Sequence, residues 1–377
     1  MKQNKDIYDI IIENITKEWY SIMSDNIINN PKWETPKYSK KQIDKAGKLI
    51  ADFLTESSED NAVVFNDFKQ AIEILNNWRS SHAYPLGVIT NNLRRNNPNA
   101  IVVQRLKRLD SILGKIERFP NMSLYRMQDL GGCRVIVDSI DEVYKSINRF
   151  KNSKIRHIFK KENDYIQNPK QSGYRSYHMV YQFQSDDNET YNKNILIEIQ
   201  FRTKLQHIWA TAVEMMGIYT KSNLKSSKGN EDILRFFVLV SSLFAKQERT
   251  PICPNTIDDD EIIINEIKNI NNKLHLVSRI SALSVAIKHT NISNKMKGKG
   301  YYVLILNYEK KALRVNGYST QQVDLATKIY NEIEAKHDKN IDTVLVSAQS
   351  FNDLREAYPN YFADIGEFVQ TMNELLK

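Results

Sequence analysis

The 377 residues are 41% hydrophobic and 26% charged, the balance of a water-soluble chain with a sizeable core, and the length suits two or three domains. No apolar run is long enough to cross a bilayer, the start MKQNKDIYDIIIENI is too polar for a signal peptide, and two distant cysteines, Cys133 and Cys253, argue against a disulfide framework or a cysteine-rich zinc site. Net charge is +8, about +9 before residue 251 and about −1 after it, so we expect a cytosolic protein, without a membrane partner, whose first part meets a nucleotide or nucleic acid.

IYDIIIENITKEWYSIM and YSKKQIDKAGKLIADFLTE repeat apolar residues at spacings of three and four, which predicts two helices. The proline-broken NNPKWETPKYSKK between them holds Lys32, Lys37, Lys40 and Lys41. It is either a solvated connection or an electrostatic arm for nucleic acid. DFKQAIEILNNWRSSHAYPL predicts a helix that stops near Pro85, with Arg79 and His82 at its end as caps or as phosphate ligands. Residues 100–118, AIVVQRLKRLDSILGKIER, predict one continuous helix with Ile101, Leu106, Leu109, Leu113 and Ile116 as its apolar stripe. On another face Lys107, Ser111 and Lys115 stack at spacings of four, flanked by Arg105 and Arg108. Such a row is either a wet face or a grip along a triphosphate.

LYRMQDLGGCRVIV reads as a turn into a buried strand, CRVIV. Asp129 stands just ahead of Gly131-Gly132, where it caps the turn or faces a ligand or metal. The helix SIDEVYKSINRF and the basic stretch KNSKIRHIFKK follow. DYIQNPKQSGYRSYH then gathers Lys170, Arg175 and His178 around Tyr174 and Tyr177, with Gly173 turning the backbone before Tyr174. A ring held after such a turn can lie on a nucleobase while the cations meet phosphates; a surface turn with a half-buried tyrosine is the plain alternative. SYHMVYQF and NILIEIQFRT predict strands joined by SDDNET. In the second, Glu198, Gln200 and Arg202 share one face and Ile197, Ile199 and Phe201 the other. QHIWATAVEMMGIY predicts a helix that covers the sheet. Two carboxylates on neighbouring strands, Asp129 and Glu198, can hold Mg²⁺ during phosphoryl or pyrophosphoryl transfer, and one of them can take the acceptor hydroxyl's proton. Residues 258–290 read as amphipathic helix and NKMKGKG as a basic turn. From 301 to 377, YYVLILNY, ALRVNGYS, QQVDLATKIYNEIEA, DTVLVSA and a helical end make a β-β-α-β-α unit.

Four motifs in order, R-x-K-x-x-x-S-x-x-x-K (Arg105 to Lys115), D-L-G-G-x-R (Asp129 to Arg134), D-Y-I-x-N-P-K-x-x-G-Y-R-S-x-H (Asp164 to His178) and E-x-Q-x-R-T (Glu198 to Thr203), resemble the RelA/SpoT alarmone synthetase domain. The resemblance implies an α/β (α+β) nucleotidyltransferase-like fold, a mixed sheet with flanking helices, and Mg²⁺-dependent transfer of pyrophosphate from ATP to a ribose hydroxyl. It implies Asp129 and Glu198 as metal ligands, with Glu198 also the base. It places Arg105, Lys107, Ser111 and Lys115 on ATP, joined by Arg79 and Arg134 as candidates. Tyr174 would stack on the acceptor base, with Lys170, His178, Gln200 and Arg202 around the acceptor. The division expected is 1–69 helical, 70–250 pyrophosphotransferase, 251–300 helical linker and 301–377 regulatory module.

The long members' hydrolase domain has no room before residue 70, and the tail differs from theirs. A synthetase domain followed by this small module resembles the fused toxin–antitoxin branch, CapRel. That resemblance implies the 3′-CCA end of tRNA as acceptor, so that translation stops. It also implies a module that silences the enzyme until a phage capsid protein binds it. In EAYPNYFADIGEF, Tyr358 and Tyr361 flank a Pro-Asn corner that can carry two rings into the adenine site, or can pack the module's own core. A guanosine nucleotide acceptor, or a non-catalytic RNA-binding module, remain the alternatives. Truncation near residue 270 is expected to free the activity.

Overall fold

The computed structural model describes residues 33–376 apart from 56–61, 221–223, 225–228, 287–288, 294–299, 308–309, 311, 336–340 and 359–364. The helix expected before residue 24, Lys32 and Tyr361 lie outside the described residues. Helices α1 (Lys40–Thr55), α2 (Ala62–Ser80) and α3 (Ala83–Asn96) come first. Pro85 opens α3 rather than stopping α2. In the first turn of a helix its missing N–H lacks an intrahelical partner anyway.

The continuous helix expected over 100–118 is instead a strand, β1 (Ile101–Leu106), and a helix, α4 (Leu109–Arg118). Ile101-Val102-Val103 is a β-branched run, and Val102 and Val103 are both buried although they point to opposite faces. That double-sided burial suits an interior strand. The three-and-four spacing that suggested helix runs across the Lys107-Arg108 turn by coincidence.

The remaining elements are β2 (Gly131–Val137), α5 (Ile140–Lys151), β3 (Ile158–Asp164), β4 (Tyr177–Gln182), β5 (Leu196–Thr203), α6 (Lys204–Tyr219), α7 (Glu231–Gln247), α8 (Asp260–Leu274), α9 (Leu276–Ala286), β6 (His289–Ser293), β7 (Gly300–Asn307), β8 (Ala312–Tyr318), α10 (Val323–Ala335), β9 (Ile341–Ala348), α11 (Phe351–Ala357) and α12 (Gly366–Leu375). The C-terminal order β7-β8-α10-β9-α11 is the expected β-β-α-β-α unit.

Among the described residues one mixed sheet of nine strands runs β3-β4-β5-β2-β1-β9-β7-β8-β6. Two neighbouring pairs, β2–β5 and β6–β8, are parallel. The sheet does not stop at residue 300. β9 pairs antiparallel with β1, Gln104 opposite Ser347 and Arg105 opposite Val346. Val103 and Ile136 pack in one cluster with Tyr302, Val344, Val346, Leu354 and Tyr358. A second layer, from α6 through α9 with α12, packs Trp209, Phe236, Phe237, Phe244 and Phe368 together. No helix of the described residues is long and apolar enough to cross a membrane.

His82 lies fully buried between α2 and α3, its Nδ1 2.7 Å from the Trp78 carbonyl oxygen. Burial pushes its imidazole down to about 4 against the partial support of that hydrogen bond. Burial likewise holds His207 well below the usual range. A folded-state value below the unfolded one means the unfolded chain binds the extra proton. Stability from His82 is therefore complete above about pH 6.5 and is lost as pH falls toward 4, roughly 3 kcal/mol in total. Thermal unfolding followed from pH 7 to pH 4 should show this fall, and His82→Gln should flatten it.

Candidate active site

Register builds the site before any side-chain contact does. Arg105 pairs with Gly132 and Val103 with Arg134 across β1–β2; Gly132 pairs with Glu198 and Arg134 with Gln200 across β2–β5; His178 pairs with Gln200 across β4–β5. Alternation therefore sends Arg105, Arg134, Glu198, Gln200 and His178 to one face of the sheet. At the end of β1 that face meets Lys107 and the turn carrying Asp129, and Arg105, Lys107, Asp129, Arg134, Glu198 and Gln200 line one cavity, with His178 outside its lining.

Asp129 is held by two ammonium groups. Lys107 Nζ donates to Oδ2 at 2.9 Å and Lys115 Nζ donates to Oδ1 at 2.8 Å. Burial pushes the carboxyl up, but the two lysines outweigh it and hold it below the usual carboxylate range. Lys107 and Lys115 thus converge although only Lys115 is helical, because the turn after β1 aims Lys107 at the same carboxylate. Ser111 sits on α4 one turn before Lys115, half-buried.

Glu198 belongs to a closed ring of side chains. His178 Nδ1 lies 3.1 Å from Oε1, and Gln200 Nε2 donates to Oε2 at 2.7 Å. Arg202 donates to Gln200 Oε1 at 2.9 Å and to Tyr174 Oη at 3.1 Å, and Tyr174 Oη lies 2.8 Å from His178 Nε2. Burial disfavours the His178 imidazolium, yet Tyr174 and Glu198 on either side of the ring raise it to about 9. Burial pushes the Glu198 carboxyl up, and His178 and Gln200 bring it below its ordinary value. Glu198 is therefore an oriented, ionised carboxylate. Lys170 lies 5.3 Å from the centre of the Tyr174 ring and 4.3 Å from that of Tyr165. Tyr165, which stands in the same motif with no distinguishing local signal, meets Tyr174 and His178 edge to face.

The loop carrying Tyr174 is fastened from behind. Gly173 has φ +86°, and an added Cβ would lie 2.9 Å from Trp209 and 3.1 Å from Ser241, so glycine is required both by conformation and by space. Ser241 Oγ donates to the Gly173 carbonyl at 2.6 Å, and the buried Arg175 donates to Ser241 Oγ at 3.1 Å. Ser241 of α7 carries no local sequence signal of a partner 68 residues away.

Cations outnumber carboxylates around the cavity. Arg134 Nε and Arg202 Nε are buried without a hydrogen-bond partner among the described residues. Burial and the neighbouring Arg202 and Arg105 push the Arg134 guanidinium down to about 9. Unspent donors beside surplus positive charge fit an anionic ligand. The two carboxylates offer hard oxygen donors, and Mg²⁺ is held by one or two carboxylates together with substrate phosphates and water. Among the described residues no group of three or more His, Cys, Asp and Glu side chains could hold a metal alone. Asp129 and Glu198 would therefore hold Mg²⁺ as it arrives with a triphosphate.

Tyr358 forms a wall of this cavity and is 4% exposed. Its hydroxyl donates to the Gln104 carbonyl at 3.4 Å, and Arg134 donates to the Ala357 carbonyl at 3.4 Å. The cavity left is about 150 Å³. Small-molecule sites measure roughly 300–1,000 Å³, so the space beside this ring is small for one.

Other expected residues stand elsewhere. Arg79 does not face the cavity; it is buried against α10, pairing with Glu334 at 2.8 Å. Lys37 pairs with Glu34 at 2.7 Å, and Lys40 and Lys41 are exposed at the start of α1. None of these three lysines lines the cavity.

Residues 104–224 match the family model described as the region found in RelA / SpoT proteins. GTP pyrophosphokinase YjbM of Bacillus subtilis is 32% identical over 131 residues, which cover 34% of this chain and 60% of that protein. GTP pyrophosphokinase YwaC of the same organism is 29% identical over 150 residues, covering 38% and 70%. Among solved structures, small alarmone synthetase 1 of Bacillus subtilis bound to its product pppGpp aligns with TM-score 0.38 and 25% identity, covering 48% of this chain and 94% of that one.

Proposed function

We propose that the chain is a pyrophosphotransferase that moves pyrophosphate from ATP to the 3′-CCA end of tRNA, and that Tyr358 holds it closed. One observation supports this reading: two ionised carboxylates and the cations Arg105, Lys107 and Arg134 line one cavity that Tyr358 also walls, with Lys115 reaching Asp129 from α4. The four cations would neutralise the triphosphate, and Mg²⁺ on Asp129 and Glu198 would offset charge on the transferred group. Glu198, oriented by His178 and Gln200, would take the ribose hydroxyl's proton. The freed oxygen attacks the β-phosphorus, the bond to the α-phosphate breaks, and AMP leaves with the electron pair.

The acceptor's terminal base would stack on Tyr174. Tyr174→Ala should weaken acceptor binding by about 1–3 kcal/mol and leave ATP binding nearly unchanged. Tyr174→Phe, which keeps the ring and loses the bonds to His178 and Arg202, should retain most acceptor affinity. Loss of ATP affinity with acceptor affinity kept would reverse the two subsites.

The resemblance of 301–377 supports a phage structural protein, of capsid type, as the partner that draws the module off. The exposed Lys37, Lys40 and Lys41 support an outlying contact to the tRNA body. Reversing all three charges should weaken tRNA binding and flatten its salt dependence. Unchanged affinity across a salt titration would make the segment a plain connection.

The relatives YjbM and YwaC, both GTP pyrophosphokinases, favour a second reading, GDP or GTP as acceptor. Full-length Tyr358→Ala protein with labelled ATP, offered GDP, GTP and bulk tRNA in parallel, separates the two. Label on tRNA supports the first reading, label on guanosine nucleotides the second, and label on none from protein whose melting curve shows it folded removes both.

A further inference from the structure

We infer that Glu334, in the C-terminal module, is a positioning residue for the ATP-phosphate subsite 225 residues earlier in the chain. This rests on the reading of the cavity as the ATP site. One of its carboxylate oxygens pairs with the buried Arg79 guanidinium at 2.8 Å. The other accepts the Leu109 backbone N–H at 2.8 Å and the Tyr330 hydroxyl at 2.8 Å. Arg79 Nε in turn donates to the Lys107 carbonyl at 2.7 Å. Both the carbonyl before Arg108 and the N–H after it are therefore fixed by one carboxylate–guanidinium pair. Arg108 itself pairs with Asp342 of β9. The Lys107 N–H is tied to the Leu130 carbonyl at 2.8 Å, next to Asp129.

This turn decides where two subsite cations stand. It ends β1 so that Lys107 reaches Asp129, and it starts α4 so that Lys115 arrives at the same carboxylate from the helix. The first N–H groups of a helix have no partner inside it, and Leu109 finds its partner in Glu334. A carboxylate there also suits the positive end of α4. The module thus has two opposed roles. Tyr358 walls the cavity on one face of the sheet, while Glu334 supports the turn that places Lys107 and Lys115 from the other. β1 carries Arg105 and Val103 on the Tyr358 face, whereas Tyr330 of α10 packs with Val303 and Leu345 on the opposite face.

The test uses the full chain carrying Tyr358→Ala as the reference and adds Glu334→Gln, which preserves shape and removes the charge. Arg79→Lys is the second variant, in case the first does not fold; lysine can keep the ion pair but cannot also hold the Lys107 carbonyl. We expect ATP affinity to fall at least tenfold, acceptor affinity to stay within twofold, and amide exchange over 107–112 to speed at least tenfold while β2 and β5 remain protected. A lower melting temperature with ATP affinity and exchange over 107–112 unchanged would overturn the inference and leave the pair as structural only. If the folded reference binds no ATP, the ATP reading fails, and the exchange result alone decides whether Glu334 fixes the Lys107 turn.

Discussion

Glu198→Gln should lower pyrophosphate transfer by about 10²–10⁴-fold, the range that a positioned general base supplies, and more if the metal is lost as well. Glutamine keeps the shape. It can still accept a hydrogen bond from His178, but its NH2 then meets the Gln200 Nε2 donor, so the link to Gln200 is lost while the strand persists. The melting temperature is expected to change little, because Glu198 lies on the cavity face of β5 while Ile197, Ile199 and Phe201 fill the core. Rate and melting temperature measured on one preparation decide the matter. Activity within about tenfold of the parent would make Glu198 an ordinary strand residue.

Tyr358→Ala should raise the apparent ATP affinity of the full chain. If the ring occupies the cavity nine-tenths of the time, the gain is about tenfold, and it grows as the open fraction shrinks. In cells the variant should be toxic without any added partner. The same ring is buried among Val103, Leu354 and Ala357, so its removal should also cost roughly 3–5 kcal/mol of stability. The two effects have opposite signs on activity, which makes the outcome informative. Higher activity with a lower melting temperature identifies a plug. Loss of both identifies a core tyrosine. Truncation near residue 270 is not an equivalent experiment. It would strip β9 from β1, expose Val103 and Ile136, and remove the Glu334 carboxylate that, with Arg79, holds the turn after β1.

Much of the site was legible because its spacing is local. Alternation along β5 put Glu198, Gln200 and Arg202 in a line, and the three contact one another as that line requires. Asp129 was placed correctly ahead of β2, and Gly173 was placed at a turn with positive φ. What failed did so for identifiable reasons. Over 100–118 a helical spacing overrode a β-branched run, because periodicity cannot reveal that a strand is buried on both sides. β3 was passed over as a basic stretch. It is an edge strand whose Ile158, Phe159, Lys160 and Lys161 are exposed, so it lacks the buried alternation that marks a strand. Arg79 was given to ATP because a cation at a helix end resembles a phosphate ligand. Its partners Glu334 and Tyr330 lie more than 250 residues away, and no local signal connects them.

The pairing of β9 with β1 also has a meaning in time. A ribosome adding about 5–20 residues per second delivers β9 some 12–50 s after β1, so throughout that interval the sheet has an open edge in its middle. In that interval the nascent chain holds Arg105, Lys107, Asp129 and Glu198 but lacks both the strand that closes β1 and the carboxylate that fastens its turn. If Tyr358 restrains the site, it follows β9 within roughly ten residues, so a stage that is assembled yet unguarded lasts at most about 2 s. The order of the strands, rather than any separate inhibitor, would then protect the cell during synthesis.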